Sequence, residues 1–175
     1  MKTLKEFDIK FTGLSLGKHS FDFEVKKTFF EAFEYSDIQN GEAQVNVVLE
    51  KMSSMMILEF DLSGKVDFPC DKCLDDVSVE LEENYFKLFV KFGDDDFDET
   101  DEVIVVPASE YAINIAQYIY EFINLSLPGK KVHPEGECNQ EMVEKLGKYI
   151  VKESVNEKEE ETDPRWDALK NIKLN

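Results

Sequence analysis

The chain has 175 residues, 42% of them hydrophobic, and carries 38 acids against 20 bases, a formal charge of −18. That length suits a single domain of ordinary size with room for a core, and the charge repels phosphate backbones and favours basic partners. No apolar run approaches the ~20 residues a membrane helix needs. No apolar stretch of the kind that follows a secretory start comes after Met1 to Glu6, so a soluble, cytoplasmic protein is expected.

The first third alternates like strands. Phe21, Phe23 and Val25 share one face of Ser20 to Val25. Thr28 to Phe33 is ambiguous between a helical turn and a strand. Ala43 to Leu49 places Val45 and Val47 on one face, and Met55 to Leu62 follows a Ser53-Ser54 turn, which reads as a hairpin. Gly64 marks a bulge or kink before the strand runs on to a cysteine pair. Val77 to Leu81 alternates strictly, and the alternation recovers at Tyr85 to Phe92. Such strands imply an antiparallel sheet with one wet face, and its phenylalanines read as core.

The chain changes character after Gly93 to Glu102, which reads GDDDFDETDE. This run is too acidic to fold on itself, and it lacks the glycine and glutamate spacing of an EF-hand calcium loop. Val103 to Val106 is a short apolar strand closed by Pro107. Ser109 is a candidate N-cap for a helix carrying Ile113, Ala116, Tyr120, Ile123 and Leu127 at helical spacing, with Ile119 broadening the stripe. Leu127-Pro128-Gly129 stops it. Gln140 to Val151 is a second, weaker helix.

The expected class is α+β. An antiparallel sheet that could curl towards a barrel comes from the N-terminal half, and two or three helices come from the C-terminal half. Residues 1–152 would form one domain and 153–163 an acidic linker. Residues 164–175 would form a helical motif, with Asp163 as N-cap, Pro164 at the first position, and Lys170 and Lys173 near the negative end. Arg165, Trp166 and Leu169 of that motif are candidate partner-binding residues, because Trp and Arg are enriched as interface anchors.

All three cysteines and one of the two histidines fall in two short stretches, Cys70-Asp71-Lys72-Cys73 and His133-Pro134-Glu135-Gly136-Glu137-Cys138. A Cys-x2-Cys pair can fill two tetrahedral positions on zinc from one turn. A His-x4-Cys pair can fill the other two. Cys70, Cys73, His133 and Cys138 are therefore candidate ligands of a closed, structural zinc site, provided the fold joins the two stretches. Two other readings stay open: buried thiols without a ligand, and a dithiol redox pair. The redox reading needs Cys70 at a helix N-terminus, and the neighbouring Asp75 and Asp76 would raise a thiol pKa. An odd cysteine count argues against a disulfide framework.

In this order the pieces resemble the YceD family, described as large ribosomal RNA subunit accumulation proteins. The matching residues are the Cys70 and Cys73 pair after a glycine-containing strand, Leu127-Pro128 leading to His133 and Cys138, and the Asp163-Pro164-Arg165-Trp166-Asp167-Ala168-Leu169-Lys170 ending. The resemblance runs from about Gly64 to the C-terminus. It implies a bacterial protein with a role in making or maintaining large-subunit ribosomal RNA, and no established catalytic activity.

The expectation is a non-enzymatic assembly factor whose acidic body engages a basic ribosomal protein or assembly factor. Direct contact with ribosomal RNA through a zinc-organised patch near Lys130, Lys131 and His133 is the alternative. A phosphate loop and a dinucleotide motif are both absent from the sequence, and no carboxylate stands out beside a histidine.

Overall fold

The computed structural model describes residues 4–93, 103–107 and 109–149, with the backbone alone for Glu82 and Glu83. The acidic linker and the helical motif of 164–175, including Arg165, Trp166 and Leu169, lie outside the described residues, as does the acidic run after Gly93, residues 94–102.

Period-2 alternation dominates the first half and produces long strands. After a 3-10 turn at Lys5–Phe7 come β1 (Asp8–Ile9), β2 (Gly17–Val25), β3 (Asn40–Lys51), β4 (Met55–Pro69) and β5 (Asp76–Phe92). The turn at Ser53 and Ser54 closes the expected hairpin, with the Met52 amide donating to the Met55 carbonyl at 2.9 Å. Val45, Val47 and Leu49 of β3 and Met56, Leu58, Phe60 and Leu62 of β4 are all 0–1% exposed, so one face of the sheet is dry across its two central strands. Each such large side chain contributes roughly 1.5–3 kcal/mol on burial.

The break in alternation between Leu81 and Tyr85 has a structural cause. Leu62 pairs with Asn84, but Gly64 pairs with Leu81, so β5 carries one residue more than β4 across this interval. Buried positions switch there from odd (Val77, Leu81) to even (Leu88, Val90), and β5 continues as one strand through the bulge. Gly64 opposite it has φ +147°, and a Cβ there would lie 2.6 Å from Ala43 Cα and against the Glu42 carbonyl.

The main sheet runs β2-β3-β4-β5-β6, where β6 is Val103–Val106. The first four strands are antiparallel neighbours, but β6 pairs in parallel with Phe89–Phe92. Among the described residues the sheet is open, with β2 and β6 as its two edges, and is not closed into a barrel.

The ambiguous segment after β2 is helical: α1 spans Lys27–Phe30. Its Phe29 and Phe30 join Phe7 and Phe33 in a buried aromatic cluster.

The next helix starts later than its apolar spacing suggested. Ile113–Asn114 forms β7, which pairs antiparallel with β1, and α2 covers Ala116–Leu125. Ser109 is not the cap. Asn114 Oδ1 accepts from the Ala116 amide at 3.1 Å, while Asn114 Nδ2 donates to the Leu4 carbonyl at 2.9 Å and to Asp8 Oδ1 at 2.6 Å. Pairing with the N-terminal strand outweighs the helical pattern at Ile113. From Ala116 the stripe holds: Ala116, Ile119, Tyr120 and Ile123 are buried. Phe122 stacks on Phe86 at 4.5 Å, and Tyr120 stacks on Phe33 at 4.3 Å, which seats α2 on the dry face of the sheet.

The last described helix, α3 (Gln140–Tyr149), buries no residue completely. Its Met142 leans on the core, and Tyr149 is 84% exposed.

Candidate metal centre

β4 ends at Pro69 and β5 begins at Asp76, so Cys70 to Asp75 form the turn between the two strands. The Cys70 amide donates to the Asp75 carbonyl at 2.8 Å, and the Leu74 amide to the Cys70 carbonyl at 2.9 Å. Leu74 takes a left-handed φ of +66°, which tightens the turn at a residue type that rarely adopts it. The Lys72 amide points at Cys70 Sγ from 3.4 Å. Folded this way, the turn buries both thiols, leaving Cys70 0% and Cys73 1% exposed.

The second stretch arrives from the end of α2. Past Leu127 and Pro128 the chain runs beside the cysteine turn. The Asp71 amide donates to the Lys131 carbonyl at 2.8 Å, and the Lys131 amide donates to Asp71 Oδ2 at 2.7 Å. The Lys131 ammonium sits 5.0 Å above the Phe68 ring. His133 follows, and its Nε2 lies 3.0 Å from the Asp76 carbonyl. Donation from Nε2 to that carbonyl selects the tautomer whose Nδ1 carries a lone pair towards the thiols. A turn with the Glu137 amide on the Pro134 carbonyl, and Gly136 at φ +90°, brings Cys138 back to the same point. Asn139 caps α3, with Oδ1 accepting from the Glu141 and Met142 amides, and donates from Nδ2 to Asp75 Oδ2 at 3.1 Å.

The four expected ligand atoms thus converge, all within 4.8 Å of one another. Cys70 Sγ and Cys138 Sγ are 3.9 Å apart. Cys73 Sγ and Cys138 Sγ lie 3.4 and 3.9 Å from His133 Nδ1. Zinc–ligand bond lengths put the edges of a tetrahedral site at roughly 3.8 Å between sulfurs and roughly 3.5 Å from sulfur to nitrogen. The cluster therefore fits a tetrahedral metal ion. The thiols are too far apart for a disulfide, and all three cysteines are free.

Electrostatics in the cluster favour thiolate at Cys70. Burial opposes the charged form of Cys70, but N–H donors of Cys73, Lys72 and His133, together with the His133 ring, outweigh it and lower the thiol to about 6. The hydrogen bond to Cys70 raises His133 above its ordinary value, against burial. Burial, then the two neighbouring sulfurs, pushes Cys138 up. The expectation that nearby acids raise the pair's pKa is not met at Cys70. The carboxylates of Asp71 and Asp75 are turned to the Lys131 amide and to Asn139. These two acids, the Asp76 carbonyl and Asn139 support the cluster and escaped the sequence reading. Their only signal there was their position immediately beside the cysteines.

A sheet-and-helix fold with four soft and borderline donors gathered at one end defines a small α+β protein with a Cys3His cluster that fits a tetrahedral metal ion. The chain belongs to the YceD family: the model of the large ribosomal RNA subunit accumulation protein YceD matches residues 58–173. The chain is also 27% identical over 157 residues to the uncharacterized protein YlbN of Bacillus subtilis (strain 168), covering 89% of each chain. No solved structure matches it. No described helix is long and apolar enough to cross a membrane.

Proposed function

We propose that this chain is a non-catalytic factor in large ribosomal subunit assembly and ribosomal RNA accumulation, and that it works by binding a basic ribosomal protein or assembly factor. Membership of a family named for large ribosomal RNA accumulation supports the process. The charge of −18 carries the choice of partner: it opposes phosphate and attracts cationic protein surfaces. Such a factor could shield a basic protein until RNA, with its denser negative charge, displaces it. Zinc at Cys70, Cys73, His133 and Cys138 would serve structure, because a closed shell leaves no position for an activated water.

The test is binding of the purified full-length protein to purified large-subunit ribosomal proteins, and separately to large-subunit RNA fragments, across a salt series. Selective capture of one or a few basic proteins, weakening as salt rises, supports the proposal. Tight RNA binding at physiological salt with no protein binding would replace it with the RNA-contact reading. Trp166→Ala with Arg165→Ala should weaken protein binding further, and unchanged affinity would remove the 164–175 motif from the contact.

A further inference from the structure

We propose that the open edge of β2 takes up an extended, lysine- or arginine-bearing segment of a basic protein as an added strand. This inference rests on the reading of a basic protein partner and names the surface and the mode of binding.

β2 runs nine residues in unbroken register with β3, from Gly17 opposite Lys51 to Val25 opposite Ala43. Among the described residues β3 is its only ladder partner. Alternate residues of an antiparallel strand turn their N–H and C=O groups away from the partner, so about four residues of β2 offer unpaired groups on the far side. Two of the devices that close an edge are missing here, since Gly17 to Val25 contains no proline and its register carries no bulge; the protection it carries is the charge of Lys18, Asp22 and Glu24. The preceding loop bonds mostly elsewhere, with the Phe11 amide on the Tyr111 carbonyl and the Lys51 ammonium on the Phe11 and Leu14 carbonyls, and it meets β2 through a side chain, His19 Nε2 lying 2.9 Å from the Ser15 carbonyl.

The two faces of β2 state the chemistry of the incoming strand. On the dry face Phe21 and Phe23 are only half-buried, because nothing flanks them outside; Phe23 rests on Phe7 at 5.5 Å. On the wet face Lys18, Asp22 and Glu24 are exposed at the rim; Lys18 pairs with Glu50 at 3.8 Å and Glu24 with Lys26 at 2.8 Å, while Asp22 leads a cross-strand row through Asn46 to Asp61. An added strand with apolar side chains inward and basic ones outward would cover the phenylalanines and meet the carboxylates of this row. A second copy of the chain fits less well, because it would set two bodies of −18 edge to edge.

The experiment is amide exchange by mass spectrometry on the full chain, alone and with the captured ribosomal proteins, and with a synthetic peptide of alternating Lys and Val about eight residues long. Asp22→Lys with Glu24→Lys is the variant, checked for its fold by circular dichroism. The proposal expects slowed exchange within residues 17–25 on binding, and a loss of affinity of about tenfold or more in the variant. Methylating alternate backbone nitrogens of the peptide should abolish binding in one of the two registers and spare the other.

Unchanged exchange at 17–25 on binding overturns it, as does full affinity of the variant for the ribosomal proteins, which would leave the proposed function standing without this surface. Protection at 17–25 in the protein alone, rising with its concentration, overturns it in favour of a second copy. If no basic protein binds, the proposed function fails. The edge is then judged on the Lys–Val peptide, and absence of protection at 17–25 rejects it.

Discussion

Asp71 and Lys131 are tied to each other twice across 60 residues of chain: each donates its amide to the other, one to a carbonyl at 2.8 Å and one to a carboxylate at 2.7 Å. This pair sets the downstream segment beside the cysteine turn two residues before His133. It does so with groups outside the four-residue cluster, so a metal ion would meet a site that is largely preassembled. Asp71→Ala should lower zinc affinity by about tenfold, the scale of a lost supporting contact, with the sheet intact. Lys131→Ala should change affinity little, because only the Lys131 backbone takes part. Competition with a chromogenic chelator measures both.

Elemental analysis of untagged protein should find one zinc per chain. Cys73→Ser and Cys138→Ser should each abolish it, because each removes one corner of a four-donor cluster. Metal-free wild type from reduced, chelator-free preparations would return the cysteines to the role of core residues.

Stripping the metal with a strong chelator should loosen the two ends of the cluster unequally. The Cys70 end is built into a hairpin between two long strands. The other end leads into α3, which buries no residue completely. Amide exchange should rise across 130–149 while β3 and β4 stay protected, and the melting temperature should fall. Equal deprotection of strand and helix would show that the centre supports the whole fold.

Acid should release the metal. A ligand must be deprotonated to bind, and Cys70 holds its thiolate down to about 6. Zinc affinity should fall steadily as pH drops through about 6, where protons begin to compete for Cys70. In the metal-free protein the three shifted groups do not act in one sense: Cys138, raised like His133, adds stability that is lost as pH rises, and Cys70 acts the other way. The depressed Cys70 value adds stability that is complete above its ordinary 9.0 and lost as pH falls towards about 6. The raised His133 value adds stability that is complete below its ordinary 6.5 and lost as pH climbs through its folded value. The pH dependence of metal-free stability should therefore be shallower than that of metal retention. Parallel urea and metal-release titrations compare them.

Gly64→Ala should destabilise the protein by about 2 kcal/mol or more, because it combines a positive φ with a Cβ pressed on the β3 backbone. Gly147→Ala should stabilise α3 by about 0.5–1 kcal/mol, because nothing lies within 4 Å of the added carbon and a helix interior favours alanine. Urea denaturation of the two variants checks the contrast.

The hairpin of β3 and β4 and the α2 stripe were legible in the sequence because burial on one face imposes a period. The four ligand positions were legible because few other residue types can do their chemistry. The late start of α2 was not, because Ile113 fits a helical face as well as it fits a two-residue strand, and only the pairing with Asp8 and Ile9 decides. The parallel direction of β6 was not, because Val103 to Val106 reads alike in either direction. Continuity of β5 was hidden by its extra residue, which reverses the alternation midway. The supporting roles of Asp71 and Asn139 were hidden because a polar residue beside a cysteine has no period to betray its partner.

The order of the ligands along the chain has a consequence for synthesis. Cys70 and Cys73 leave the ribosome together, but His133 follows Cys73 by 60 residues. At the usual pace of elongation the nascent chain carries an incomplete pair of thiols for roughly 3–12 s. The sheet can therefore gather around its hairpin before the clasp can close, and loading of an ion at this cluster would be one of the last steps in the maturation of the polypeptide.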